Sequence, residues 1–420
     1  MTSVRNRLQP LSGNRWLIVL FIGLLLNACS PKTTIWESHP GENPAANKPV
    51  PPTRSVPPPV TPPPAPKVSV ISLLLPFGLD HIGPGQSYTD ISLKKARIAA
   101  DYYRGFDLAL DSLTYYGYNY KLQLFDTRDD VGAAHSLAYD QKVRASDLIV
   151  GPVFPDGMKA FISVLTSARK PIVSPLSPEP PTTFKNQNLV TVNPPLEYHA
   201  WCAAQYINDK LNPQKIFILR SGFSEDNDYI IPFKKAIDSL SNHRIKFVEL
   251  TVVHGQLQSI IPQLAPGKQN VFVVPSTDEA FLTITLQSLD KLTAKYPVTL
   301  FGHPSWQHFA FLKPQLLQHL KTHITSADNV NYKSKETITF IRNYRNAWHT
   351  EPTAYAIKGF DEGMYFGKLL GAANSLKNMD KTDFNGINSD FTFQKKVGMG
   401  WVNTHVELLM YNNFELIKAQ

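Results

Sequence analysis

The residues equipped to hold a small polar molecule sit where runs of apolar sequence stop. Asp126 closes "YKLQLFD", Ser174 and Ser177 punctuate "KPIVSPLSP", Ser221 follows "QKIFILR", and Ser276 and Thr277 follow "NVFVVP" and its end. His303 follows "PVTLFG", while Phe77 and Phe154 come directly after "ISLLLP" and "DLIVGPV". Hydroxyl, imidazole and carboxylate groups at such ends supply hydrogen bonds, and the two rings supply stacking faces. Each has a local alternative. Asp126 equally suits capping of the next helix, and the rings equally suit plugging a cleft. The sequence holds no G-x-S-x-G, H-E-x-x-H, P-loop or G-x-G-x-x-G pattern, so a non-enzymatic protein without a cofactor is expected. His319 and His323 in "HLKTH" share one helix face at i,i+4, but no acidic or thiol partner lies close in sequence. No metal site is expected there. Glu225, Asp226 and Asp228 in "SEDNDY" read as a solvated loop. Cys202 in "EYHAWCAAQYI" falls on the apolar face of a helix and reads as a small core residue rather than a nucleophile.

The elements that must position these residues alternate. "VSVISLLLPFG", "YKLQLFDTRDD", "SDLIVGPV" and "KPIVSPLS" are strand-like runs separated by amphipathic stretches such as "KKARIAADYYRGFDLALDSL". The pattern restarts with "QKIFILRSG", "IKFVELTVV", "NVFVVPST" and "PVTLFGHPSW", again with helical stretches between. Strict alternation of this kind predicts an α/β chain with parallel sheets covered by helices, in two lobes. After about residue 325 the chain reads mostly as helix, ending in the strand-like runs "WVNTHVELLMY" and "FELIKA". In open α/β sheets ligands sit beyond the carboxyl ends of the strands, which is why the candidate residues above cluster there.

The first 67 residues differ in kind. Arg5, Arg7 and Arg15 flank a short apolar run, Trp16 to Leu26, too short to span a bilayer and laid out as a secretory signal. Leu26-Asn27-Ala28-Cys29 resembles a bacterial lipobox, which implies cleavage after residue 28 and lipid on the Cys29 thiol. Residues 29–67 then form a tether, with 12 prolines between Pro40 and Pro66. Such a tract favours polyproline II, extending about 3.1 Å per residue. The net charge of +8 falls to +5 without the three leader arginines (8 − 3). No basic run interleaved with aromatics appears, so nucleic acid is not an expected partner.

From Val68 onward the sequence resembles the type I periplasmic binding proteins, in particular the branched-chain amino-acid receptors. "ISLLLPFG", "YRGFDLALDSL", "LQLFDTRDD", "DLIVGPVFPD" and "KPIVSPLS" are similar to that family's opening units, and Phe360-Asp361-Glu362 to its late Tyr-Asp-Ala segment. The resemblance implies two Rossmann-like lobes joined by three crossovers, expected near 190–196, 320–332 and 378–390. Lobe one would comprise 68–192 plus 326–380, and lobe two 193–325 plus 381–420. In the receptors, serines after the Gly-Pro turn hold the ligand's carboxylate at a helix N-terminus. Here that turn reads Phe154-Pro155-Asp156, which offers no side-chain donor, lacks one amide hydrogen and adds a negative charge. The resemblance therefore implies a small polar ligand, linked to an ABC transporter, without implying an α-amino acid. The layout of anchor, tether and bilobed domain also resembles the outer-membrane lipoproteins that activate penicillin-binding proteins. That second likeness implies a scaffold docking an envelope protein such as a peptidoglycan synthase. Both place the chain in the bacterial envelope, lipid-anchored at the periplasmic face of the outer membrane.

Overall fold

The strand β1 (Val68–Leu75) shows why these runs are apolar throughout. Ile71, Leu73 and Leu75 enter one core with Tyr102 and Phe106, while Leu74 enters another with Ile149 and Phe161. A strand covered on both faces has no polar side to present, as in parallel sheets generally. The computed structural model describes residues 67–83, 85–165, 170–372 and 376–419. The signal-like segment, Cys29 and the proline tract to Pro66 lie outside the described residues.

Lobe one continues through α1 (Asp90–Thr114), β2 (Asn119–Asp126), α2 (Val131–Leu137), α3 (Gln141–Ala145), β3 (Leu148–Val150), α4 (Pro155–Val164), β4 (Ile172–Ser174) and β5 (Leu189–Thr191). Lobe two repeats the plan with α5 (Leu196–Tyr206), β6 (Lys215–Arg220), α6 (Asp226–Ser241), β7 (Lys246–Thr251), β8 (Asn270–Val274), α7 (Glu279–Leu292), β9 (Val298–Gly302), α8 (Pro314–His319) and β10 (His323–Ser326). The chain then returns to lobe one as α9 (Lys335–Trp348) and α10 (Ala354–Gly371). It closes with β11 (Phe384–Asn385), β12 (Asp390–Phe391), β13 (Phe393–Lys396), β14 (Gly400–Asn403), β15 (Glu407–Asn412) and β16 (Glu415–Lys418).

The sheets share one wiring scheme. Sheet one runs β13-β14-β5-β4-β3-β1-β2 and sheet two β16-β15-β10-β9-β8-β6-β7. Within each, the first five strands of the lobe pair in parallel, and the antiparallel pairs sit at the late edge. The two-lobed α/β architecture with mostly parallel sheets is thus as the alternation predicts.

One boundary differs. β13 and β14 join sheet one, so residues 393–403 are not part of lobe two, and the third crossover lies at 404–406 rather than near 378–390. "WVNTHVELLMY" reads as one strand but is two, β14 in one lobe and β15 in the other. Period and composition identify a strand without identifying its sheet, because both edges ask for the same pattern.

Lobe one is held by the crossing of α1 and α10. Gly105 of α1 lies against Ala356, and Gly359 and Gly363 of α10 lie against Tyr102 and Phe106, so the two backbones nearly touch. Around that contact Tyr102, Phe106, Leu110, Tyr365 and Phe366 are buried. Among the described residues no helix is long and apolar enough to cross a membrane.

Candidate functional site

The Gly-Pro turn after β3 is shaped by its own backbone. Gly151 has φ +95°, and a Cβ there would lie 2.2 Å from the Leu74 carbonyl oxygen of β1. Only glycine combines that φ with that approach. The turn delivers Phe154 to the start of α4, where its ring packs on the lobe-one core and lies 4.9 Å beneath the Lys95 ammonium nitrogen. Lys95 also pairs with Asp129. This corner is therefore closed by a ring under an ammonium that is already paired with Asp129.

The other strand-end residues make mainly local contacts. Asp126 accepts the N–H groups of Gly78 (3.0 Å), Leu79 (2.7 Å) and Arg128 (2.8 Å), clamping its own loop to the end of β1. The cap of α2 is Asp130, which accepts from the Ala133 N–H. Phe77 meets Tyr103 edge-on, with ring centroids 6.5 Å apart. Ser174 is buried in β4, and the Ser177 hydroxyl accepts the Glu179 N–H at 3.3 Å. The Ser221 N–H and hydroxyl both donate to Asp226 Oδ2, at 2.7 and 2.9 Å. Asp226 is consequently buried at the start of α6, not part of a solvated loop. Ser276 accepts the Asp278 N–H, and its carbonyl accepts the Trp306 indole N–H at 2.9 Å. Thr277 is exposed.

His303 is different. It lines a cavity of about 270 Å³ between the lobes, beside the first two crossovers, together with His199, Asp328 and Lys358. The His303 Nδ1 accepts the Ser305 N–H at 3.1 Å, which leaves the ring proton on Nε2 as a donor. His199 Nδ1 lies 3.0 Å from Thr325 Oγ1. Burial lowers both imidazoles to about 4, so both are uncharged at neutral pH. Lys358 Nζ donates to Asp328 Oδ2 at 2.8 Å, and Asp328 Oδ1 also accepts from Asn388 Nδ2 (3.1 Å) and Ser389 Oγ (2.8 Å). The cavity thus combines neutral imidazole donors, one buried cation and its counter-charge.

Sequence reading did not single out His199, Asp328 or Lys358. His199 lies in the helix read as a buried face. The one signal for Lys358 is its setting in "AIKGF", where apolar and small neighbours leave a lysine no exposed face. The histidine pair at 319 and 323 does not converge: His319 faces Asp290 at 2.5 Å, while His323 is buried and stacked on Phe301. Cys202 is half-buried against the lobe-two core, its thiol 3.5 Å from the Val406 carbonyl and raised by burial to about 11. A thiol so raised is protonated at neutral pH.

The Phe360-Asp361-Glu362 segment faces inward. Asp361 accepts the N–H groups of Ile387 (2.8 Å), Asn388 (2.8 Å) and Ser389 (3.0 Å), and burial still raises it to about 6. Glu362 accepts from the Tyr102 hydroxyl at 2.7 Å, and its Oε1 has no partner. Burial holds its carboxyl well above the usual value of 4.5, so the folded state keeps a proton that the unfolded chain releases. The stability contributed at Glu362 then falls as pH rises above about 4.5. Glu362→Gln is expected to raise stability at pH 8 relative to wild type and to remove this residue's share of the pH dependence, leaving the shares of Asp361, Asp107, His199 and His303. Urea unfolding at pH 5 and pH 8 checks this, and equal slopes in variant and wild type would assign the dependence elsewhere.

No family model and no curated protein matches the sequence. Solved structures do match. A substrate-binding protein of an ABC transporter from Desulfitobacterium hafniense, in complex with leucine, is 15% identical with a TM-score of 0.55, covering 84% of this chain and 100% of its own. A branched-chain amino-acid ABC transporter protein from Rhodospirillum rubrum is 14% identical with a TM-score of 0.60, over 84% and 100%. A periplasmic ligand-binding protein of the same transport class from Burkholderia xenovorans is 11% identical with a TM-score of 0.56, over 83% and 94%. This chain has the type I periplasmic-binding-protein fold. At these identities the likeness extends to the fold, and within that fold the lobe-one corner of this chain carries Phe154 under Lys95.

Proposed function

We propose that this protein is an envelope lipoprotein whose type I binding-protein domain takes a small polar ligand in the cavity formed by His199, His303, Asp328 and Lys358. The observation that carries the reading is a nearly buried lysine facing uncharged imidazoles in the cleft between lobes, where this fold closes on ligands by hinge motion. Its ligand presents hydrogen-bond acceptors to His303 Nε2–H and Lys358. A non-catalytic role in solute uptake with an ABC transporter fits the fold. Lipid on Cys29 would tie the protein to the periplasmic face of the outer membrane, with the tether at 29–67 giving it reach.

A thermal-shift screen of amino acids, short peptides, peptidoglycan fragments, sugars and nucleosides tests the reading. A ligand at 100 times its Kd adds about 2.7 kcal/mol to stability. His303→Ala should abolish the response while Phe154→Ser leaves it intact. A response lost in Phe154→Ser and kept in His303→Ala would move the site to the lobe-one corner.

A second reading, a scaffold docking an envelope protein such as a peptidoglycan synthase, is favoured by a separate feature. A cavity of about 680 Å³ on lobe one is lined by Tyr115, Tyr116, Phe340, Phe360, Met364 and Phe384, with both tyrosines exposed. Silence across the screen with capture of a peptidoglycan synthase would select it.

A further inference from the structure

At the third crossover three side chains from three parts of the chain converge. Asp390 comes from β12 on lobe one, His405 from the crossover itself, and Glu407 from the first position of β15 on lobe two. One ligand atom from each of the three residues lies within 4.8 Å of the other two. His405 Nε2 is 3.6 Å from the aspartate oxygen and 3.9 Å from the glutamate oxygen. Those separations are too long for hydrogen bonds, and this nitrogen is enclosed without a hydrogen-bond partner. Donors at about 2.0–2.2 Å around a tetrahedral ion stand about 3.3–3.5 Å apart. At 3.6 and 3.9 Å the imidazole nitrogen stands from the two carboxylates at close to the spacing of ligands around one ion.

We propose that Asp390, His405 and Glu407 form a binding site for a divalent transition cation of the zinc type. One imidazole and two carboxylates suit such an ion, and three protein ligands leave a position for water. The outer groups hold the set in place, as supporting hydrogen bonds do around metal ligands. Gly386 N–H donates to Asp390 Oδ1 at 3.1 Å, and Asn329 Nδ2 to Glu407 Oε2 at 3.3 Å. An open cavity of about 480 Å³ is lined by all three residues. Lys418 Nζ now lies 2.6 Å from Glu407 Oε1, and its side chain is 70% exposed, so an arriving cation displaces it to water. Because the ligands come from both lobes and the link between them, the bound ion pins the hinge.

The full chain is stripped with EDTA, then titrated with zinc by calorimetry and with cobalt by visible absorption. One ion per chain and the intense visible bands of tetrahedral cobalt are expected. His405→Ala and Asp390→Asn should each weaken zinc by at least tenfold and remove the cobalt bands. Circular dichroism reports whether each variant is folded, and either folded variant suffices for the comparison. Lys418→Met should tighten zinc several-fold by removing the competing cation, an effect no structural role for the cluster produces. His319→Ala, at another exposed histidine–carboxylate pair, should change nothing. Absence of stoichiometric binding, binding unchanged in His405→Ala, or zinc affinity unchanged in Lys418→Met would each overturn the assignment.

Discussion

Gly105→Ala is expected to destabilise the protein by about 3 kcal/mol or more, at the upper end of what overpacking costs. A single methyl is enough because the obstacle is backbone. A Cβ at Gly105 would lie 1.8 Å from the Ala356 carbonyl oxygen and 2.7 Å from its carbon. No rotamer change relieves that, so α1 and α10 must separate by more than an ångström. Separation loosens Tyr102, Phe106, Tyr365 and Phe366, all of them buried at or near this crossing. A dense interior has no slack to absorb the shift. Alanine would otherwise gain up to about 1 kcal/mol over glycine within a helix, so the net loss understates the clash by that amount. Gly157→Ala in α4 is the control, since its nearest neighbour would stand at 3.4 Å, an ordinary contact. It should be neutral or slightly stabilising. The midpoints of urea unfolding for the two variants decide the matter, and similar midpoints would mean that the helices do not cross this closely.

Lys358→Met should cost about 2–3 kcal/mol at pH 7. Removing one partner of a buried pair typically costs 3–5 kcal/mol, and the lower figure reflects Asp328, whose side chain is 32% exposed. The loss arises because Asp328 remains charged, with Asn388 and Ser389 as its remaining side-chain donors. Although burial pushes the Asp328 carboxyl up, Lys358 and those two hydrogen bonds together hold it below its usual 3.8. A depressed carboxyl contributes stability that is present above the unfolded value and disappears as pH falls through the folded one. The penalty of Lys358→Met should therefore be full at pH 7 and shrink below about pH 4 as Asp328 takes up a proton. Adding Asp328→Asn to Lys358→Met should recover part of the loss at pH 7, because the unpaired charge is gone. A double-mutant cycle at that pH reads the coupling, and strict additivity would show that the pair does not interact as its 2.8 Å contact indicates.

The sequence by itself determined the fold class and most of the strands and helices. Runs such as "ISLLLPFG" and "NVFVVPST" are local signals, and a strand buried on both faces must be apolar whatever surrounds it. Sequence also marked the Gly151-Pro152 turn and the departure at Phe154, since those depend on residue type alone. What only the tertiary structure decided is which residues meet. Asp126 and Ser221 stand at strand ends as expected, yet their polar atoms engage backbone and side chains of nearby loops, which no spacing reveals. His199, Asp328 and Lys358 are far apart along the chain and converge only because the crossovers bring two lobes together. Asp390, His405 and Glu407 are close in sequence but lie on opposite sides of a crossover that the continuous pattern of "WVNTHVELLMY" conceals. Periodicity is set by which face of an element is covered, whereas a site is set by the distance between elements, and that distance is fixed by packing across the whole fold.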